Sequence, residues 1–493
     1  MVALLFSLSL AAAGPGQAPQ AIQELSPPIV APPTFPPLTR QDAATPAARE
    51  TLPVPAPILF AQYPATPAEP KVEIDPPSDA PAPRPAGASD AAKPPAVAGW
   101  DNGFFLRSAD KRFQLRITGQ IQTDYKDFID QPDTTDINTF LLRRARFGIE
   151  ANVFQFYEFR FLPDFGQGAA VIQDSYLNVH YWDAFQVEGG RFKQPFSYEQ
   201  LIQDRFVPTL ERSMIDQLVP QRDWGAMIHG QKLFQDRMDW AVSVHNGMIN
   251  GNVADNNNPK DVSARVAFRP LNCDVFAPWL RLLQIGMSFN SGDDVEAASP
   301  GSFKTPLGVP WFTYLAGTLQ NGWRNRYSPE VSYFFGPLGF ASQYLTETQM
   351  LRAAAGAPVM VPMQGYFALA TLLLTGETRT TYSAPVVPVS DFDPSHPFAC
   401  PGAWELVVRT SRLVVDPIAF QPGVNRLADP TKNSGGATEL TTGFNWYLNT
   451  WVRVQFNWER AWFDQPVPLA PAAGAAGLRP FTDTLAARFQ VIF

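Results

Sequence analysis

From Trp100 onward the chain alternates apolar and polar positions over stretches as long as a membrane-crossing strand, about 9–11 residues. In QLRITGQIQTDYK (114–126), Leu115, Ile117, Ile121 and Tyr125 share one side. Gln114, Arg116, Thr118, Gln120, Gln122, Asp124 and Lys126 share the other. Successive side chains of a strand point to opposite faces, so one face is apolar and the other polar. FTDTLAARFQVIF (481–493) repeats the pattern, with Phe481, Leu485, Ala487, Phe489, Val491 and Phe493 opposed to Thr482, Thr484, Arg488 and Gln490. Sixteen such stretches are expected, at 113–127, 138–153, 156–163, 171–182, 185–196, 223–234, 237–247, 260–270, 278–290, 324–336, 338–350, 364–377, 402–415, 437–448, 451–463 and 481–493.

A soluble β-sandwich also alternates. The even count, the Phe, Tyr and Trp at the strand ends and the terminal phenylalanine favour a transmembrane barrel, apolar outside and polar within. Such a barrel must close, because lipid leaves no partner for an open edge. PLNCD (270–274), FGPLG (335–339) and YLNT (447–450) read as tight turns on the periplasmic side. The linkers 197–222, 291–323 and 464–480 read as outer loops, and 378–401 falls on the periplasmic side as a long exception. The fold class expected is all-β, a 16-stranded antiparallel transmembrane β-barrel over 100–493.

Composition agrees. Aromatic residues make up 13% and charged residues only 17%, below the usual quarter. Before the barrel the pattern is different. Residues 2–10, VALLFSLSL, followed by small residues, read as a signal peptide over 1–18. Residues 19–99 have no hydrophobic period, and 22 of the 49 prolines lie before Trp100. Proline fixes φ and removes a donor, so this stretch is expected to be a disordered Pro/Ala-rich spacer in the periplasm, with the cell wall as a candidate contact. No apolar run has the length of a membrane-spanning helix.

Chemistry-bearing motifs are sparse. Cys273 and Cys400 form neither a metal spacing nor a disulfide framework. His180, His229, His245 and His396 form no His-x-x-x-His pair, and there is no Gly-x-Ser-x-Gly. No cofactor, metal site, catalytic residue or nucleic-acid partner is therefore expected. Two rival classes are a barrel enzyme, which would need a nucleophile–base pair, and a structural anchor that tethers the envelope through the spacer.

Several segments in order resemble the phosphate-selective porin O and P family. They are FLLRRARFGIEANV (140–153), GGRFKQPFSYEQL (189–201), LERSMIDQLVPQRDWGAMIHG (210–230), LLLTGETRTTY (372–382), GAWELVVRTSRLVVD (402–416) and TTGFNWYLNTWVRVQFNW (441–458). The resemblance implies an outer-membrane homotrimer of water-filled channels for passive diffusion of small hydrophilic solutes and ions, inorganic anions such as phosphate among them. It also implies a third outer loop, here about Ser197–Arg222, folded into the lumen. That loop carries Glu199, Asp204, Arg205, Glu211, Arg212 and Asp216.

Strand parity puts Arg116, Arg144, Arg146, Arg160, Arg265, Arg269, Arg326, Arg409, Arg453 and Arg488 on the lumenal side, and Lys193 joins them as an anion-contacting candidate. Arg143 has the opposite parity unless its strand bulges. Asp124, Glu150, Glu158, Asp174, Glu330, Glu405 and Glu459 are available as partners, which is the pattern of an unspecific pore. From Trp100 on there are 33 basic and 38 acidic residues, a net of −5, and only seven of the basic residues are lysines. A lysine-rich anion funnel is not visible.

Overall fold

The computed structural model describes residues 96–100, 103–129, 138–247, 255, 257–297, 300–469 and 477–493. The expected signal peptide, and the spacer as far as residue 95, lie outside them.

Sixteen strands form the wall: β1 Phe113–Ile129, β2 Thr139–Val153, β3 Tyr157–Asp164, β4 Val171–Trp182, β5 Phe185–Lys193, β6 Arg222–Lys232, β7 Met238–His245 and β8 Asp261–Phe268, then β9 Gln284–Ala297, β10 Leu319–Phe335, β11 Leu338–Arg352, β12 Pro358–Leu373, β13 Ala403–Val415, β14 Gly436–Tyr447, β15 Val452–Pro468 and β16 Leu478–Ile492. Each strand pairs antiparallel with the next, and β16 pairs with β1 from Ile492↔Gln120 to Asp483↔Ile129, so the sheet is a closed barrel. The seam is locked where Gly119 and Phe493 exchange backbone hydrogen bonds of 2.6 and 3.0 Å. The Phe493 ring lies against Gly119, where a Cβ would stand 2.1 Å from Cζ, so a larger residue there would displace the ring. A short hairpin, Val97–Trp100 with Phe104–Arg107, continues the seam along the first residues of β1.

The outward positions are apolar and exposed, Leu115, Ile121, Phe147, Leu406 and Phe489 among them. Water would not tolerate such a belt; hydrocarbon does. The inward positions of β1 are polar and largely buried inside the barrel, from Thr118 to Asp124.

Several boundaries differ from the sequence expectation: β9 runs on to Ala297 and β10 starts at Leu319, so the outer loop expected over 291–323 narrows to 298–318, and β15 runs to Pro468, so the one expected over 464–480 narrows to 469–477. β5 ends at Lys193 rather than residue 196. β9 starts at Gln284 rather than 278, because Pro278 opens a 3₁₀ turn, Pro278–Leu280. PLNCD is consequently part of a longer connection, 269–283, and not a tight turn. β12 runs over 358–373 rather than 364–377, since Gly376 turns the chain at φ +103°. The small antiparallel pair Phe303–Lys304 with Pro310–Phe312 lies in the connection 298–318.

The main hydrophobic core is inside the barrel. Phe196, Met214, Ile215 and Leu218 from the β5–β6 connection pack with Trp311 and Phe312 from the β9–β10 connection. Met363, Phe367, Val407, Leu413 and Phe463 of the wall complete the cluster. The lumenal face is therefore polar along most strands, and its apolar part is concentrated on β12 and β13.

Candidate functional site

Residues 194–221 leave β5 and return to β6, yet their contacts lie across the lumen. Ser197 caps the short helix Tyr198–Leu201, and its hydroxyl donates to Gln343 Oε1 on β11 at 2.9 Å. Val207-Pro208 disfavours helix at that point, and the Pro208 carbonyl accepts from Asn445 Nδ2 and Gln455 Nε2 at 2.9 and 3.0 Å. Leu210 N donates to Asn457 Oδ1 at 2.7 Å. Arg453 donates to the carbonyls of Val207 and Arg205, and Arg409 donates to Thr209 Oγ1 and the Glu211 carbonyl. The connection thus reaches strands β11 and β13–β15 on the far side of the barrel.

Charge is arranged in pairs around it. Arg143 and Arg144 on β2 and Arg488 on β16 converge on Glu211, at 2.8, 3.3 and 2.7 Å. Arg144 and Arg146 also reach Asp204, which binds Arg212 at 2.6 Å. Burial alone would push the Asp204 and Glu211 carboxyls up. The guanidiniums of Arg212, Arg146 and Arg144 outweigh it at Asp204, and those of Arg144, Arg143 and Arg488 at Glu211, so both stay well below the usual range. At Glu199 and Asp216 burial wins over Arg409 and Arg212 respectively, and both are raised.

The remaining sequence candidates are placed as follows. Arg116 and Arg160 share Glu150, and Arg160 also meets Asp174. Arg265 pairs with Glu330 and Arg326 with Glu347. Arg409, almost wholly buried, binds Glu439. Lys193 donates Nζ to the carbonyls of Gln200 and Ile202 at 2.6 and 2.8 Å, so it staples the loop. Arg269 falls just beyond β8 and binds Asp236 and Asp239. Arg143 reaches the lumen through a bulge: the register shifts between Gln122↔Arg144 and Thr123↔Leu142, which inserts Arg143 as an extra residue.

Arg205 is different. Its Nε donates to Gln203 at 2.7 Å and its guanidinium lies over the Phe206 ring. Among the described residues no carboxylate is within ion-pairing distance of it. It shares a cavity with Arg146, Arg160 and Arg222. Burial, then Arg160, lowers it to about 10, with Glu150 opposing and Arg116 and Arg146 adding to the effect.

Sequence reasoning missed two features. The connection 374–402 turns into the lumen at the other end: Arg379 binds Glu405 at 3.2 Å and lies over Tyr382, whose fully buried ring packs on Phe334. The second is a hydrogen-bonded Asp–His–Ser row. His245 Nδ1 meets Asp223 at 3.1 Å, and Nε2 meets Ser263 Oγ at 3.0 Å. Ser263 is fully buried and its hydroxyl also accepts from Asn290 Nδ2, so the row is tied into the wall's hydrogen-bond network.

A closed barrel with a lipid-facing belt, a polar channel wall and connections crossing the lumen is an outer-membrane porin. The chain resembles the phosphate-selective porin O and P family, whose profile matches residues 115–308. Porin O of Pseudomonas aeruginosa is 22% identical over 402 residues, covering 74% of this chain and 86% of that protein. Among solved structures, in-vitro folded OmpT of Vibrio cholerae superposes with a TM-score of 0.46 at 11% identity, over 78% of this chain and 98% of that one. The anion-selective porin from Comamonas acidovorans gives 0.46 at 11% identity, over 77% and 100%.

Proposed function

We propose that the porin passes small hydrophilic solutes and ions by passive diffusion, with a modest preference for anions, and that residues 194–221 set its narrowest point. The observation that carries the preference is Arg205. Its neighbours Arg116, Arg146 and Arg160 each have a carboxylate within ion-pairing distance, Arg116 and Arg160 sharing Glu150, which leaves the guanidinium in the loop itself without one. A desolvated cation of this kind favours an anion over a cation. Because most of the lumenal arginines are paired, the preference is weaker than that of a dedicated phosphate site, although phosphate is the anion in the family's name. By the same analogy the assembly is a homotrimer and the short-turn end faces the periplasm, with the Pro-rich leader on that side.

The test is the reversal potential of the purified protein in a planar bilayer under a KCl gradient. A potential of the sign for chloride preference supports the reading; one of the sign for potassium preference overturns it.

A further inference from the structure

We propose that a second cavity, beside Gln217–Gln221, is a binding site for an uncharged, hydroxyl-bearing solute of about monosaccharide size. The inference rests on the porin reading, since the solute arrives through the lumen. The cavity has a volume of about 260 Å³ and lies between that stretch of the loop, Ser302 and Phe303 of the β9–β10 connection, and the walls of β6–β7 and β10–β11. It is separate from the Arg205 cluster in its lining residues.

Carboxylates outnumber guanidiniums in its wall. Arg324 binds Asp261 at 2.8 Å and Asp294 at 2.7 Å. Arg326 binds Glu347 at 3.0 Å, and Asp223 binds His245 at 3.1 Å. Asp223, Asp261 and Glu347 line the cavity against Arg324 and Arg326, so a phosphate-like anion would meet an excess of negative charge here.

Two donors nevertheless lack acceptors. Gln349 is 4% exposed and Arg324 is 2% exposed, both line the cavity, and Gln349 Nε2 and Arg324 Nε have no hydrogen-bond partner. A buried donor left unsatisfied costs about 1–3 kcal/mol. An ammonium cannot accept from either group. A hydroxyl can, and it can also donate to the spare lone pairs of the carboxylates. If the Gln349 amide is turned over, Oε1 takes the place of Nε2 and the hydroxyl donates instead. Leu218, Val219, Phe303 and Met363 supply an apolar side for the C–H face of such a solute. Water fills the same roles in an unloaded channel, and a polyol displaces several waters while reproducing their hydrogen bonds.

The experiment uses full-length protein in a planar bilayer in KCl, with D-glucose added on the long-loop side. Glucose should interrupt the current in a concentration-dependent way, and Gln349→Leu should weaken that block about tenfold, the loss of one hydrogen bond. Folding of the variant is checked by its heat-dependent electrophoretic mobility, and Gln349→Met takes its place if it fails. Conducting protein that glucose does not block, or block that is equal in wild type and variant, overturns the proposal. Protein that folds but does not conduct counts against the porin reading. Equilibrium dialysis with radiolabelled glucose then decides the site: binding weakened by the Gln349 variant supports it, and no binding overturns it.

Discussion

Arg143 and Glu211 are joined by two parallel hydrogen bonds, Nε to Oε1 at 2.8 Å and Nη2 to Oε2 at 3.0 Å. The bulge that turns Arg143 inward makes this fork possible, and it ties the lumen-crossing connection to β2. Arg144 and Arg488 reach the same carboxylate. Glu211→Ala should therefore destabilise the barrel by about 3–5 kcal/mol, the range for removing one partner of a buried ion pair. Urea titration of the folded porin reads this; a midpoint equal to wild type would remove Glu211 from its role as anchor.

The acids of the connection should respond oppositely to pH. Asp204 and Glu211 are lowered in the folded protein. Their stabilisation is complete above the ordinary carboxylate range, about pH 4, and is lost only as pH falls through lower folded values. Glu199 is raised by burial, with Arg409 opposing, so its contribution is lost as pH rises through the folded value. We expect the loop to stay protease-resistant from pH 7 to 5 and Glu199→Gln to be tolerated at neutral pH. Cleavage within 194–221 at pH 5 would contradict this assignment.

Deleting Glu199–Val219 should raise single-channel conductance several-fold, because that segment crosses the lumen. The deletion exposes apolar wall residues, so it must first be shown to fold. Unchanged conductance in a folded deletion variant would place the narrowest point elsewhere, with the Arg379–Tyr382 turn as the next candidate.

Arg205→Gln should move the reversal potential toward cation preference while leaving the paired arginines in place. The change follows from removing a single unmatched charge. A potential identical to wild type would show that the anion preference arises elsewhere.

Cys273 and Cys400 lie in the connections 269–283 and 374–402, both on the short-turn end, and both are free thiols. An impermeant maleimide should leave them unlabelled on intact cells and modify them after permeabilisation. Labelling of either on intact cells would reverse the proposed orientation.

The fold was legible where the two faces of a strand meet different solvents. In β1 every inward residue from Gln114 to Lys126 is polar, so its span and its facing could be read directly. In β12 both faces are apolar: Val361, Met363, Phe367 and Leu369 point in, while Met360 and Tyr366 point out. Alternation is absent there, and the expected span was six residues late at its start. The arginine pairing was legible as a list of lumenal acids, though not which acid meets which arginine. The inward turn at Tyr382 depends on Arg379 meeting Glu405, a contact 26 positions apart that no local pattern announces. That Arg205 lacks a carboxylate emerges only once the arginines around it are matched with theirs.

The apolar inner face of β12 has a consequence for assembly. A one-residue slip of β1 would turn Arg116 and Asp124 toward lipid, at about 2–4 kcal/mol for an arginine at the midplane. The same slip in β12 would exchange one apolar face for another, and the membrane would scarcely register the error. There the correct pairing is chosen by shape, through the fit of Met363 and Phe367 against the docked connections. For β1 the bilayer itself penalises the wrong register, while for β12 only the interior packing does.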